Sequence, residues 1–261
     1  MPDSWTHLRQ LTNARIALGR SGGSLPTRAL LDFRLAHAHA RDAVQSPFSD
    51  ELLRTALAPT GLPVLSLNSA APDLQTYLRR PDLGRRLDEP SRESILSHAA
   101  MAKPHDLAII LSNGLSAQAV HENAAPLVHA LVDRLTAARW SLAPLVVVKN
   151  ARVALSDEVG HLLHARIALI LLGERPGLGG GDSLGAYFTF DPVPGKNDAD
   201  RNCVSNIRAG GLVPEQAAAK LASLMLRSRS LGLSGVQLKD EESMLGSDPV
   251  PVLPVHNPTT L

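Results

Sequence analysis

The chain has 261 residues and a formal net charge of +1; 44% of its residues are hydrophobic and 20% are charged. This composition is that of an ordinary globular protein, long enough for one large domain or a domain with a substantial extra segment. The near-zero charge argues against general binding to nucleic acid or to a membrane surface. A single cysteine, Cys203, excludes an internal disulfide. Because there is also no apolar leader or membrane span, we expect a cytoplasmic protein.

The first 92 residues are predicted to form a helical and irregular N-terminal segment. Ser24 is placed to cap a helix, Pro26 lies in its first turn, and apolar positions follow. These positions are Leu30, Leu31, Phe33, Leu35 and Ala38. The arginines among residues 1–44 form either a solvated helix face, which composition favours, or a basic surface for an acidic partner. A short apolar stretch at 62–67 is a candidate strand.

An arginine-rich turn closes this segment. Pro81-Asp82-Leu83-Gly84 is typical of a turn, and it is flanked by Arg79, Arg80, Arg85 and Arg86. Four arginines around one turn would repel each other unless an anionic or polar group lay opposite, and guanidinium groups suit carboxylates and amide carbonyls. A solvated loop is the alternative.

Residues 93–240 have the alternating pattern of an α/β domain. Strands are predicted at 106–111, 145–148, 167–172 and 187–190, and helices at 91–101, 117–138, 157–165 and 214–232. Strands that alternate with helices predict a mostly parallel sheet with right-handed crossovers. The proline-rich residues 241–261 have no such pattern and are predicted to be a disordered tail.

The stretch from Gly173 to Gly181 is the strongest candidate for a binding edge. It follows the apolar strand at 167–172, and ligands of open α/β sheets bind beyond the carboxyl ends of such strands. The stretch holds five glycines, a proline, an arginine and Glu174. It does not complete a dinucleotide fingerprint, because Asp182 stands where the third glycine belongs, and the sequence has no P-loop. The alternative, which gives this stretch no role in binding, is a flexible connection between the strand and a following helix.

The sequence shows no self-sufficient active site. It contains no nucleophile elbow or paired-carboxylate motif, and its closely spaced histidines lack the further ligands of a zinc site, so we expect no bound metal. Candidate ligand contacts are Glu174, the glycine stretch and the segment 201–208, where Cys203 stands among hydrogen-bonding residues. General frequencies favour Cys203 as a buried packing residue. These features indicate a binding surface with no catalytic residues.

Several motifs, taken together, resemble one enzyme family. In order along the chain they are ARIALGR, PTRALLDF, HARDAV, YLRRPDLGRRL, SNGLSA, GERPGLGGGDSLGAY and DADRNCVSNI. This series is similar to the small (light) subunit of ethanolamine ammonia-lyase from about residue 8 to Lys239. The resemblance implies a Rossmann-like, mostly parallel sheet with helices on both faces. It also implies an adenosylcobalamin-dependent enzyme that converts ethanolamine to acetaldehyde and ammonia.

The resemblance assigns roles to three residues. Val153, Glu174 and Cys203 match the family's cobalamin-contacting positions, so the cofactor is expected to lie between this chain and the large subunit. The large subunit, a TIM barrel, would hold the substrate and the catalytic groups. The motif D-x-H-x-x-G, by which some cobalamin proteins supply a histidine to cobalt, is absent, so the cofactor is expected to keep its own lower base.

The resemblance also bears on organisation and location. Residues 1–92 would dock on the partner, and 93–240 would form the cobalamin-binding domain. Some relatives carry an N-terminal extension associated with packaging into bacterial microcompartments, whereas this chain begins almost at the first motif. The cytoplasm is therefore the expected location, and a microcompartment is the alternative. The alternative to the whole assignment is a free-standing α/β module that binds a nucleotide-like ligand without catalytic activity.

Overall fold

The computed structural model describes residues 5–9, 11–12, 14–99 and 103–239. The helices in these ranges are α1 (Thr6–Arg9), α2 (Thr27–Gln45), α3 (Asp50–Leu57), α4 (Leu74–Arg79), α5 (Glu89–Ala99), α6 (Ala117–Ala137), α7 (Leu155–Leu162) and α8 (Pro214–Leu231). The strands are β1 (Val64–Asn68), β2 (His105–Ser112), β3 (Leu145–Lys149), β4 (Ala165–Gly173), β5 (Leu184–Phe190) and β6 (Arg201–Ile207).

These six strands form one sheet in the order β1-β3-β2-β4-β5-β6. The first four strands of this order are parallel, whereas β5 is antiparallel to β4 and β6 is antiparallel to β5. All four parallel strands therefore end at the same side of the sheet, which we call the carboxyl edge. Because two reversals restore the direction, β6 also ends at this edge. The molecule is a mixed α/β protein.

Two apolar clusters cover the two faces of the sheet. Leu107, Ile109 and Leu111 of β2 point to one face, and Ala108 and Ile110 point to the other, because successive strand side chains alternate. The first face packs against α3, α6 and α8, and the second packs against α5 and α7. The central strands β2 and β4 are thus buried on both sides, which explains why each is an unbroken apolar run in the sequence.

The structure confirms most predicted elements of the α/β region and corrects two points. Three predicted strands are present as β2, β3 and β4, and the fourth begins three residues earlier than expected, as β5. The strand β6 was not predicted. The glycine stretch joins two antiparallel strands, so the alternative interpretation of it as a strand-to-helix connection was wrong. The chain reverses here because β5 pairs directly with β4 along its whole length.

The start of α2 also differs from the prediction. Ser24 does not cap this helix, which begins at Thr27 behind Pro26 without a side-chain cap. Ser24 instead pairs with Ser21 in a short antiparallel bridge, because the chain turns at Gly22-Gly23 before the helix begins. The predicted strand near residues 62–67 is present as β1.

The N-terminal segment contributes to the sheet and also extends away from it. β1 is hydrogen-bonded to β3 at one margin of the sheet, while along α2, which the structure describes throughout, Ala43 is the single buried residue. Among the described residues, no helix is long and apolar enough to cross a membrane. The division at residue 92 stays a prediction, and the predicted disordered tail lies outside the described residues.

Candidate functional site

The structure places the three residues assigned by resemblance on or beside the second face of the sheet: Glu174 and Val153 at the carboxyl edge, and Cys203 nearer the middle of its strand. Glu174 directly follows β4, Val153 lies between β3 and α7, and Cys203 is on β6. Cys203 is directly opposite Tyr187 of β5 in the register. We call Glu174, Gly185, Tyr187 and Cys203 the Glu174–Cys203 surface. Cys203 is exposed, so its interpretation as a buried packing residue was wrong.

Hydrogen bonds on one oxygen hold the Glu174 side chain. Its Oε2 accepts from the Ser183 hydroxyl at 2.5 Å and from the backbone N–H of Asn206 at 3.3 Å. Its own backbone N–H donates to the Ser183 carbonyl at 2.9 Å. In the part of the chain that the structure describes, its Oε1 accepts no hydrogen bond. The carboxylate is therefore fixed in place and still has a free acceptor oxygen.

A β-bulge brings the Asn206 N–H to Glu174. The register between β5 and β6 shifts between Leu184 and Ala186, and Asn206 has a left-handed backbone with φ of 56°. A bulge turns the local backbone away from the regular ladder and is a common device for re-aiming groups beside functional sites. Here it directs the N–H of Asn206 on β6 toward the side chain of Glu174, at the start of the connection between β4 and β5.

Tyr187 lies at the centre of the surface. Its ring is half-buried against the apolar cluster of the second face, which Val153 also contacts. Burial, the neighbouring Cys203 thiol and the charge of Glu174 all raise the pKa of Tyr187, so the phenol stays protonated at neutral pH. Desolvation raises the pKa of the Cys203 thiol, the Tyr187 hydroxyl across the register acts to lower this pKa, and the charge of Glu174 acts to raise it.

Gly185 provides the space in which Glu174 and Tyr187 meet. A Cβ atom at this position would lie 2.9 Å from Oε1 of Glu174 and 2.9 Å from a ring carbon of Tyr187. Contacts below 3.0 Å require a neighbouring group to move. The absence of a side chain at Gly185 therefore permits the observed positions of both neighbours.

Val153 stands beside the arginine-rich turn. Arg152, the preceding residue, donates its backbone N–H to the Gly84 carbonyl at 2.7 Å. Its guanidinium stacks on the Tyr77 ring, with 4.1 Å to the ring centroid. The turn is thus docked next to Val153, and its four arginines are exposed. Arg80 is paired with Asp82 at 2.7 Å.

A buried ion pair closes the end of the β5–β6 strand pair that lies farthest from the carboxyl edge. Arg201, at the start of β6, makes two hydrogen bonds to the Asp157 carboxylate, at 2.6 and 2.8 Å, and one to the Thr189 hydroxyl at 2.9 Å. Both charged side chains are almost fully buried. Because Asp157 belongs to α7, this pair ties that helix to β6.

The glycine stretch is anchored at its base and open at its tip. The Ser116 hydroxyl donates to the Gly181 carbonyl at 2.5 Å, and the Asn123 amide donates to the Asp182 carbonyl at 2.8 Å. At the tip, a Cβ atom on Gly177 or Gly179 would meet nothing within 4 Å. Nothing in the described structure demands glycine at these two positions, so they leave the tip small and open to an approaching group.

The arrangement is suited to binding. It offers a fixed carboxylate oxygen, a thiol and an apolar margin at Val153, which together suit a ligand with amide donors around an apolar body. Sequence reasoning missed the role of Tyr187, which was considered only as part of a strand. The register that pairs it with Cys203 has no counterpart in local sequence.

Comparison with known proteins identifies the family of the chain. The family model for the ethanolamine ammonia-lyase light chain (EutC) matches residues 2–239. Proteins named ethanolamine ammonia-lyase small subunit are 53% identical in Azotobacter vinelandii, covering 94% of this chain and 91% of the relative, and 50% identical in Pseudomonas fluorescens, covering 92% and 88%. The Pseudomonas aeruginosa relative is 51% identical, with 94% and 90% covered. The chain therefore belongs to the ethanolamine ammonia-lyase light chain family.

Proposed function

We propose that this chain is the small subunit of an adenosylcobalamin-dependent ethanolamine ammonia-lyase and that it covers the cofactor held against the large subunit. In this proposal the catalytic groups belong to the large subunit, and this chain supplies binding and enclosure. The carboxyl edge of a Rossmann-like sheet faces the cofactor, with Val153, Glu174 and Cys203 in contact. Membership of the light chain family, joined to the exposed Glu174–Cys203 surface, carries the proposal.

The residues present fit a cobalamin. The corrin rim carries amide N–H donors, and Oε1 of Glu174 is an acceptor that the described chain leaves free, held within reach of solvent by the bonds to Oε2. The apolar part of the ring suits the Val153 side chain and the soft sulfur of Cys203. When bound, adenosylcobalamin supplies radical chemistry through its cobalt–carbon bond, and this chain's residues orient the ring and exclude water.

The N-terminal segment offers the docking surface for the large subunit. Leu31 and Leu35 of α2 are 56% and 58% exposed, and Leu30 and Phe33 are also exposed on the same helix. A soluble protein rarely leaves so many large apolar side chains uncovered along one helix, so such a surface indicates a protein partner. The exposed arginines of the 79–86 turn, which docks next to Val153, offer a second surface for the large subunit.

The proposal is tested by co-expression with a large subunit. We expect a complex that binds adenosylcobalamin, seen by its visible absorbance, and turns over ethanolamine, whereas this chain alone should show no turnover even with added cofactor. Turnover by the isolated chain, or cobalamin binding by the large subunit that is equally tight without this chain, would contradict the proposal.

The docking part has its own test. Leu31→Asp with Leu35→Asp should abolish co-purification with the large subunit, since it places charge in an apolar interface. A matched control is Leu52→Asp with Leu96→Asp, two exposed leucines on α3 and α5. Equal loss in both pairs of variants would show that α2 is not the docking helix. Where the complex is located, in the cytoplasm or in a microcompartment, follows from imaging a tagged chain in cells grown on ethanolamine.

A further inference from the structure

We infer that Tyr187 is the positioning residue of the Glu174–Cys203 surface: its hydroxyl holds the Cys203 thiol, and its ring, seated over Gly185, sets where Glu174 stands. This inference rests on the proposed function, because it deepens the assignment of the same surface. It adds Tyr187 and Gly185 to the three residues that resemblance assigns.

The geometry supports a connecting role for Tyr187. The tyrosine faces Cys203 across the β5–β6 register, and it packs on the apolar cluster that Val153 also contacts. A Cβ on Gly185 would lie equally close to Tyr187 and to Glu174, so those two side chains are neighbours over one bare backbone position. Tyr187 is therefore a direct neighbour of Cys203 and of Glu174, and it packs on the same apolar cluster as Val153.

The chemistry gives the hydroxyl a defined task. A protonated phenol donates a hydrogen bond, and sulfur is a weak acceptor that is strengthened when it carries negative charge. The Tyr187 hydroxyl can thus orient the thiol, while the Glu174 carboxylate opposes charge on the sulfur. Removing the hydroxyl and removing the carboxylate charge should therefore move the reactivity of Cys203 in opposite directions.

The chain is well suited to a direct test, because Cys203 is its single cysteine and Tyr187 is one of two tyrosines. The rate of alkylation by iodoacetamide is measured against pH for the full-length chain and for Tyr187→Phe, Glu174→Gln and Tyr77→Phe. Since the thiolate is the reactive form, the profile reports on the surroundings of Cys203. Tyr77 is the matched control: its hydroxyl donates to the Ala151 carbonyl at 3.3 Å and is not bonded to Cys203.

We expect Tyr187→Phe to slow alkylation at neutral pH roughly three- to tenfold and to move the profile to higher pH, as loss of one hydrogen bond implies. Glu174→Gln should move the profile to lower pH, and Tyr77→Phe should match the wild type. A Tyr187→Phe profile that coincides with the wild type would overturn the inference, since a purely structural tyrosine would leave the thiol unchanged.

The assembled complex provides the second readout. Tyr187→Phe and Gly185→Ala should weaken adenosylcobalamin binding roughly three- to tenfold, with complex formation unchanged. Gly185→Ala should still fold, because the atoms that it displaces are the ends of side chains. If the wild-type complex binds no cobalamin, the proposed function is contradicted, and the alkylation profiles still test whether Tyr187 positions the Cys203 thiol. If it binds cobalamin and both variants bind equally well, the inference fails alone.

Discussion

The two ends of the β5–β6 strand pair are covered differently on the same face of the sheet. At one end Arg201 is buried against Asp157 and Thr189, and α7 lies over the strands. Toward the other end, starting two positions along the register, Tyr187 and Cys203 form a partly exposed surface, and the carboxylate of Glu174 lies beside them. The covering helix α7 and the buried ion pair close one end, whereas the bulged ladder and the side chains at the other end leave a surface that can receive a ligand.

The comparison separates groups that stabilise the fold from groups available for binding. A buried, hydrogen-bonded ion pair cannot be opened without leaving a charge unpaired, so the closed end is rigid. The open end retains a carboxylate oxygen and a thiol without that constraint. Substitutions at the closed end should therefore change stability, and substitutions at the open end should change binding.

The largest effect is expected at the ion pair. Arg201→Met leaves the buried Asp157 carboxylate without its cation and should lower the free energy of unfolding by about 3–5 kcal/mol. Urea denaturation measures this change. Arg80→Ala is the control, because Arg80 and Asp82 form an exposed pair whose loss should cost about 0–1 kcal/mol. Equal losses would mean that the Asp157–Arg201 pair does not hold the closed end.

The next effect concerns Glu174. Glu174→Gln should weaken adenosylcobalamin binding to the assembled complex by roughly ten- to a hundredfold, since hydrogen bonds to a charged group contribute about 1.5–3 kcal/mol. The fold should remain, because the preceding strand is untouched. Cofactor titration measures the affinity, and Glu89→Gln on the exposed start of α5 is the control. An unchanged affinity for adenosylcobalamin in an intact complex would show that Glu174 only shapes the turn and does not bind the cofactor.

Two glycines extend the comparison to the backbone. At the closed end, a Cβ on Gly160 would lie 2.7 Å from both Ala168 and Pro192, so Gly160→Ala should destabilise the chain by about 1–3 kcal/mol. Gly179→Ala at the open tip adds an atom that meets nothing within 4 Å and should leave stability within about 1 kcal/mol. Thermal unfolding compares the two variants, and a reversed order would contradict the assignment of the two ends.

The smallest effect is a pH dependence. Burial raises the pKa of Tyr77 and of Tyr187 above the ordinary value of 10.0. Both phenols therefore stay protonated in the folded chain at a pH where the unfolded chain ionises. The contribution of these two phenols to stability should thus be constant below about pH 10 and fall as the pH rises further. Tyr187→Phe should make this decline shallower, as measured by urea denaturation along an alkaline series.

The sequence was sufficient for elements whose pattern is local. β2 and β4 are apolar runs because both of their faces are buried, and α8 has proline at its start and glycine at its end. β6 was missed because it is a marginal strand: Val204 and Ile207 face the core, and the polar residues between them do not resemble a buried strand. Of the predicted contacts, Glu174 and Cys203 were candidates from the sequence pattern as well as from family resemblance, whereas Val153 came from the resemblance alone.

The pairings that build the site could not be predicted from the sequence. Asp157 and Arg201 are 44 positions apart, and their contact depends on how α7 lies over β6. Tyr187 meets Cys203 through the register of two antiparallel strands, which is fixed by a bulge near Leu184. Such contacts follow from tertiary packing, and no periodicity along the chain encodes them.

The position of β1 has a consequence for the order in which the protein folds. β1 is made early in synthesis, yet its partner in the sheet is β3, with Val64 opposite Leu145. β1 can therefore be paired only after β2, α6 and then β3 itself have left the ribosome. Pairings distant in sequence form slowly, because a long loop must close first. β1 should accordingly be the last strand to gain protection from hydrogen exchange during refolding, and the whole N-terminal segment becomes ordered late.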